Sequence, residues 1–355
     1  NDGRVVKIFN FSYYRNVDVD WLTEPNATIN VNSTVRGMFI SGNYLYVASV
    51  DNFSIIDISN PENPVLLCSI ENPTTSDLYD VVVSGNYAYV SSYGDGVLIY
   101  NVSDKSSPVL ENTTTLVGAS NRGLSEWISG NYLYVGEYNN ILSIWDISDP
   151  VHPVEVSNFT FGHNIEISDV VVSGNYAYVV EYYNRFHVLN VSDLSNPIEV
   201  WNSSEHYADD NYNKLDVVGD RLYASIRYNG THIFDISNPE SPFLVGYVSE
   251  NFGYAEEIKA IDNYVFNIAS TVGVYVVNIT NESSPTVHDI YPVIGEVYST
   301  AVNGNYLYVG LRNSYILAFD ITDRTSPKIV GYYEDPSKGR FAGLQVSGNY
   351  LYAGG

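Results

Sequence analysis

Cysteine is nearly missing from this sequence: Cys68 stands alone among 355 residues. No internal disulfide can form, and neither CxxC nor a paired Cys/His metal spacing exists, so stability must come from packing. Basic residues are scarce as well, 16 against 41 acidic, giving a net charge of −25. Such a field repels phosphate backbones and anionic lipid surfaces and removes nucleic acid from the expected partners. Charged residues are only 16% of the chain, too few for a disordered acidic tail. No apolar run approaches the roughly eighteen residues of a membrane span. Asn1 begins without a basic and apolar leader, so an export signal is expected to be already removed or to precede these residues. Helical periodicity is missing, which leaves strands. The signatures GxxxxGK, GxGxxG, GxSxG and HExxH are all absent, and no catalytic residue is assigned.

What is present is a repeat. SGNYLYV at Ser41 recurs as SGNYAYV at Ser84, SGNYLYV at Ser129, SGNYAYV at Ser173 and NGNYLYV at Asn303, with degenerate copies at Gly219 (GDRLYA), Asp262 (DNYVFN) and Ser347 (SGNYLYA). The anchors at 42, 85, 130, 174, 219, 262, 304 and 348 are 42 to 45 residues apart. A second signature follows each: DISNPENP from Asp57, NVSDKSSP from Asn101, DISDPVHP from Asp146, NVSDLSNP from Asn190, DISNPESP from Asp235, NITNESSP from Asn278 and DITDRTSP from Asp320. An eighth copy, NFSYYRNV from Asn10, aligns in register but has lost both prolines to Tyr14 and Val17.

Within one repeat the strands follow from local chemistry. Asp80 to Val83 is a β-branched run, Ser84, Gly85 and Asn86 tolerate a tight hairpin, and Tyr87 to Ser91 returns as the second strand. Gly94 to Gly96 turns the chain again, Val97 to Val102 forms the third strand, and the Asn/Asp, Ser and Pro cluster ends it by Asx-turn chemistry. The fourth begins after Pro108. Joined on paper, YLYAGG and NDGRVVKIFNFS match the internal segment YAYVSSYGDGVLIYNVS, so the termini are expected to share one blade. The period and the four strands per repeat predict an all-β, eight-bladed β-propeller of four-stranded antiparallel blades, closed by two strands from each end. Residues 1–355 are read as a single domain, with 1–23 and 341–355 as the closing blade and 24–34 as a linker into the first full repeat.

The tandem order of an SGNYAYV hairpin, an apolar strand, DISNPxxP and another apolar strand resembles the LVIVD repeat family of bacterial and archaeal surface proteins. The resemblance covers essentially the whole chain. It implies a β-propeller on an exported protein and brings no catalytic residues to transfer. The chain departs from the pattern at the eroded Gly219 and Asp262 anchors and at the proline-free Asn10 segment.

Glycan acceptor sequons occur at Asn10, Asn26, Asn32, Asn52, Asn101, Asn112, Asn158, Asn190, Asn202, Asn229, Asn278 and Asn281. A chain rich in Asn, Ser and Thr makes many of these by composition alone. One regularity goes further: the residue opening each strand-three terminator alternates Asn10, Asp57, Asn101, Asp146, Asn190, Asp235, Asn278, Asp320. Either residue makes the turn, yet every Asn copy carries Ser or Thr two residues on. Together with the identity of DVVVSGNYAYV at Asp80 and Asp169, this suggests growth by duplication of a two-blade unit bearing equivalent glycans.

Propeller sites are assembled from single residues on many blades. Five residues back from each anchor stand Gly37, Asp80, Ser125, Asp169, Lys214, Glu257, Ser299 and Gly343. Of these, Asp80, Asp169 and Glu257 are the candidates for holding a cation or polar ligand at the mouth of a channel, against the plainer reading of solvated lining. Asp209, Asn211, Asn213 and Asp220 have a faint EF-hand-like spacing, spoiled by Lys214 where glycine is needed. The histidines His152, His163, His187, His206, His232 and His288 show no ligand spacing and are read as lying at different strand positions, with His163 and His206 in loops of neighbouring blades. Tyr182 with Tyr183, and Tyr332 with Tyr333, either stack on sugars or pack between blades.

The expected role is therefore structural or interactive, at the cell surface or in an extracellular assembly. The chain begins and ends within one blade and shows no tail or anchor, so it is read as a whole mature subunit or as a piece of a longer surface protein. Covalent N-glycans, other surface proteins and further copies of the chain, to the point of a filament, are the expected partners. No resident cofactor or metal is expected; calcium is the one candidate cation. The alternative is a lectin-like, ligand-binding propeller using Asp80, Asp169 and Glu257.

Overall fold

The computed structural model describes residues 4–10, 25–73, 76–114, 123–137, 140–162, 166–182, 185–203, 211–227, 229–250, 253, 255–269, 273–293, 295–336 and 340–355. These residues are all-β and form eight four-stranded antiparallel sheets, the blades of an eight-bladed β-propeller. Blades 1 to 7 span 35–71, 78–114, 123–160, 167–202, 212–248, 255–292 and 297–334. Blade 8 joins both ends of the chain: Gly343–Ser347 and Tyr350–Gly354 are its first and second strands, Val5–Asn10 its third and Ala27–Asn30 its fourth. Val6 pairs with Gly354 and Asn10 with Tyr350, as the split repeat requires.

The fourth strand of blade 8 corrects the expected boundaries, because Ala27–Asn30 lies inside the stretch read as a linker and pairs with Val5–Ile8. Sixteen residues (11–26) separate third and fourth strands here, against seven (58–64) in blade 1. The chain has Tyr14 and Val17 where the terminator prolines stand elsewhere, and its own proline, Pro25, comes only after this longer connection, out of register with the other repeats. The blades group into two compact units, residues 1–115 with 295–355 and residues 116–294. In a repeat architecture each blade packs mainly on its neighbours.

Local chemistry repeats closely. Gly42, Gly85, Gly130, Gly174, Gly219, Gly304 and Gly348 all have φ between 56° and 59° at the first position of a two-residue hairpin turn. A positive φ there and not at the following Asn fits a type II′ turn, whose twist matches the strands. In blade 6 Asp262 takes the same place at φ 53°, so the eroded anchor keeps the turn. At each described terminator the side-chain oxygen accepts the N–H two residues on: Ser59 to Asp57, Ser103 to Asn101, Ser148 to Asp146, Ser192 to Asn190, Ser237 to Asp235, Thr280 to Asn278 and Thr322 to Asp320, all at 2.8 to 3.0 Å.

The core lies between adjacent blades of each unit. Tyr46 and Phe53 of blade 1 meet Leu78, Val90 and Tyr100 of blade 2, and Tyr178 and Phe186 of blade 4 meet Tyr212, Leu222 and Phe234 of blade 5. The second tyrosine of the anchor is thus a packing residue, and burial pushes Tyr46, Tyr89, Tyr178 and Tyr352 up to about 12. Blade 8 is also clipped to blade 7. Lys7, on the third strand of blade 8, places its ammonium 3.0 Å from Asp335 and 2.9 Å from the Tyr333 hydroxyl. Desolvation opposes the charge on Lys7, but these hydrogen bonds outweigh it and its pKa is raised.

Candidate functional site

The positions five residues before each turn lie at or just past a β-bulge in blades 1 to 7. A bulge adds an unpaired residue and re-aims the side chains beside it. In the second unit this lines up charges on the first strands of blades 4, 5 and 6. Asp169 accepts the Leu215 N–H at 3.1 Å, and Asp216 accepts the Ala260 N–H at 2.7 Å. Each aspartate therefore satisfies a backbone donor on the next blade's edge, where no strand pairs. Lys214 lies 4.0 Å from Asp169 and donates to the Ser168 carbonyl at 3.0 Å, while Lys259 lies 3.9 Å from Asp216. Glu257 is half-buried in this ladder; desolvation raises its pKa and the charges of Lys214 and Lys259 partly offset the rise.

Of the three candidate mouth residues, Asp169 and Glu257 share this ladder, and Asp80 belongs to the other unit. There Asp80 Oδ1 accepts its neighbour Val81 N–H at 2.8 Å, and its backbone packs so closely on Gly37 that a Cβ at 37 would fall 2.6 Å from Asp80 Cα. Ser299 donates to the Phe341 carbonyl at 3.0 Å. Among the described residues no group of three or more His, Cys, Asp or Glu is arranged to hold a metal ion. The EF-hand-like spacing does not form a loop: Asn213 lies near the start of the strand Tyr212–Val218 and Asp220 in the turn beyond its end. An extended strand carries them roughly 20 Å apart, and Asn213 spends its amide on the Ala255 carbonyl. Asp209 lies outside the described residues.

Histidine placement corrects the sequence reading. His187 and His232 occupy the same position, opposite Val179 in blade 4 and Ala224 in blade 5. Their surroundings oppose each other. His232 is buried beside Tyr212, whose hydroxyl lies 3.0 Å from Nδ1, and desolvation pushes it down to about 4. His187, equally buried, has Nδ1 2.6 Å from Glu199 and Nε2 3.5 Å from Glu181, with the Phe161 ring 4.4 Å away. Desolvation would lower it, but the two glutamates outweigh that and its pKa is raised. Glu181 also accepts from Asn140 at 2.8 Å. Blade 3 repeats the frame with Glu137, Ser143 and Glu155 in place of Glu181, His187 and Glu199. Lacking an imidazole, Glu137 is pushed by burial up to about 8, and Glu155 adds to the rise against the lowering effect of Ser143. Spacings of six and twelve residues match no ligand motif; only superposing the repeats makes this cluster visible. His163 and His206 lie outside the described residues. His152 pairs at 3.0 Å with Asp149, exposed, and His288 packs edge-on to Tyr264.

Of the tyrosine pairs, Tyr182 is exposed and Tyr183 lies outside the described residues; Tyr333 is buried against Phe9, and Tyr332 lies beside Tyr315.

The sequon asparagines separate by exposure. Asn26, Asn32, Asn158, Asn229 and Asn281 are exposed; Asn52, Asn101, Asn112, Asn190, Asn202 and Asn278 are half-buried; Asn10 is buried. Two of the Asn terminators bond to a glutamate of the neighbouring terminator. Asn10 donates to Glu62 at 3.2 Å with the Tyr350 hydroxyl 3.3 Å from the same oxygen, and Asn190 donates to Glu240 at 3.3 Å with Tyr176 at 3.2 Å. At the Asp235 terminator Arg221 bridges Asp235 and Glu282, both at 2.8 Å, and in blade 1 the Lys105 ammonium of the next blade's terminator sits 5.4 Å from the centre of the Tyr44 ring.

The profile of the LVIVD repeat matches this chain seven times, over residues 34–71, 77–115, 125–160, 166–204, 212–250, 252–293 and 294–335. No curated protein matches it. Among solved structures, the computationally designed Ika8 protein is 15% identical, over 91% of this chain and 93% of that one, with a TM-score of 0.73. Sqt1 of Saccharomyces cerevisiae is 6% identical over 90% and 95%, with a TM-score of 0.75. BamB of Moraxella catarrhalis is 13% identical over 82% and 87%, with a TM-score of 0.63. At these identities the likeness is one of fold.

Proposed function

The chain belongs to the LVIVD repeat family, and from that premise we propose that it is an exported structural and interaction module, a glycan-bearing β-propeller of the cell surface or an extracellular assembly rather than an enzyme. The observation that carries this reading is the exposure of five sequon asparagines, Asn26, Asn32, Asn158, Asn229 and Asn281, on blades whose interiors are closed by packing. A sequon is usable only where the amide nitrogen reaches solvent, and these five meet that demand. The strong negative charge supports solubility at high local density. Its partners in this reading are N-linked glycans and other surface proteins, including further copies of the chain.

Glycopeptide mass spectrometry on protein from its native source tests the proposal. Sugar is expected on the five exposed asparagines and not on Asn10, whose amide is buried against Glu62 and Tyr350. Native protein bare at all five would remove the glycan-bearing reading.

A further inference from the structure

The second strand ends in a glutamate in two blades of the second unit, Glu137 in blade 3 and Glu181 in blade 4, where blades 1, 2, 5, 6 and 7 have Ser49, Ser92, Ile226, Ala269 and Leu311. Both glutamates are removed from water, Glu137 to 1% exposure and Glu181 to 0%. A carboxylate so placed has to be neutralised and hydrogen-bonded. Blade 4 meets that demand within the chain. His187 Nε2 stands 3.5 Å from Glu181 Oε1, Asn140 donates to the same oxygen at 2.8 Å, and Glu199 lies against the other ring nitrogen. Blade 3 keeps both carboxylates of this frame, as Glu137 and Glu155, but sets the Ser143 hydroxyl in the imidazole's position, opposite Val135 as His187 is opposite Val179. Ser143 lies close enough to lower the pKa of Glu137, yet among the described residues neither oxygen of Glu137 nor the Ser143 hydroxyl, all buried, has a hydrogen bond of good geometry. Glu155 acts on Glu137 as a like charge.

From this contrast we infer that blade 3 binds a hard divalent cation of the calcium class between Glu137, Ser143 and Glu155, in the place that the His187 side chain takes in blade 4. The donors are all oxygens: the two of Glu137, the Ser143 hydroxyl and one of Glu155, whose other oxygen accepts from Asn158 at 3.1 Å. Oxygen-only sets suit calcium over zinc or copper, and calcium accepts irregular geometry with waters completing its shell. Glu155 is half-buried on the edge strand Val154–Thr160, which gives water and the ion a way in. The net charge of −25 draws cations toward the protein from solution. A proton is the rival occupant, since burial pushes Glu137 up to about 8. A cation entering near neutral pH has to displace that proton, whereas surface carboxylates are already ionised and release none. The assignment holds whether or not the asparagines carry sugar.

Isothermal titration of the intact chain with calcium chloride at neutral pH tests it, in about 0.1 M KCl to screen the surface charge and in two buffers of different ionisation enthalpy. Calcium is expected to bind with release of about one proton. Glu137→Gln keeps the shape of the side chain and removes its charge, and should weaken binding by at least about tenfold. Ser143→His rebuilds the arrangement of blade 4 and should weaken it likewise. Thermal unfolding with chelator present checks that Glu137→Gln is folded, and the proton count on the wild-type chain needs no variant at all. No calcium binding, affinity unchanged in folded Glu137→Gln, or heats that are the same in both buffers would each overturn the inference.

Discussion

Lys7 and Asp335, 328 positions apart in sequence, meet at 3.0 Å with side chains only 9% and 1% exposed. The contact ties a strand from the N-terminal end to the blade that precedes the C-terminal strands. It lies alongside the edge-on contact of Phe9 with Tyr333 at 5.0 Å, so charge and packing hold the same seam.

Removing one partner of such a pair leaves a buried charge uncompensated. Lys7→Met is therefore expected to cost about 3 kcal/mol, and Lys7→Met with Asp335→Leu to recover most of it. Urea unfolding of the two variants and wild type measures this. A single variant within about 0.5 kcal/mol of wild type would mean that backbone pairing alone holds the strand.

Acid sensitivity should trace to His232. Its folded pKa, about 4, lies below the ordinary histidine value of 6.5. The unfolded chain binds more protons between those values, so stability is lost as pH falls from 6.5 toward 4. The loss is about 3 kcal/mol from this residue. His232→Gln should flatten that part of the pH–stability curve; an unchanged slope would exclude His232 as its source.

His187 should act with the opposite sign. Its pKa is raised, so its stabilisation is complete below the ordinary histidine pKa and fades as pH rises through the folded value. The gap in stability between wild type and His187→Gln is expected to be widest near pH ~6 and to narrow on the alkaline side. A gap independent of pH would mean that the ring contributes packing against Phe161 and no charge.

Gly37→Ala should destabilise the contact between blades 1 and 2. The new Cβ would fall 2.5 Å from Asp80 Oδ1 and 2.8 Å from the Tyr79 carbonyl. Backbone has to move to admit it, at about 1–3 kcal/mol. Thermal unfolding reads the loss, and a melting temperature equal to wild type would show that the neighbouring strand gives way freely.

The parts of the fold legible in sequence are those set by contiguous chemistry. The SGNY turn, the Asx terminator and the strands around them are dictated by residues within a few positions of one another, and the shared terminal blade follows from aligning the ends. Ala27–Asn30 escaped because the longer connection puts Pro25, which precedes it, out of register with the terminator prolines of the other repeats. The bulges escaped because an extra residue leaves no mark on the apolar pattern. The candidate site was less legible still. Asp169 and Glu257 were found by counting from the turns, but their pairing with Lys214, Lys259 and the next blade's N–H groups depends on strands about 45 residues apart. The cluster of Glu181, His187 and Glu199 depends on three strands folding side by side, and the clip from Lys7 to Asp335 on nearly the whole length of the chain.

Because Val5–Asn10 and Tyr350–Gly354 run antiparallel as neighbours, with Val6 opposite Gly354, the two ends of the chain emerge on the same side of one sheet. Tension applied between them would load the hydrogen bonds of that pair one after another, as in peeling, instead of all together, as in shear. Under stretching the terminal blade is then the first element to yield, and the Lys7 clip the first side-chain contact to resist.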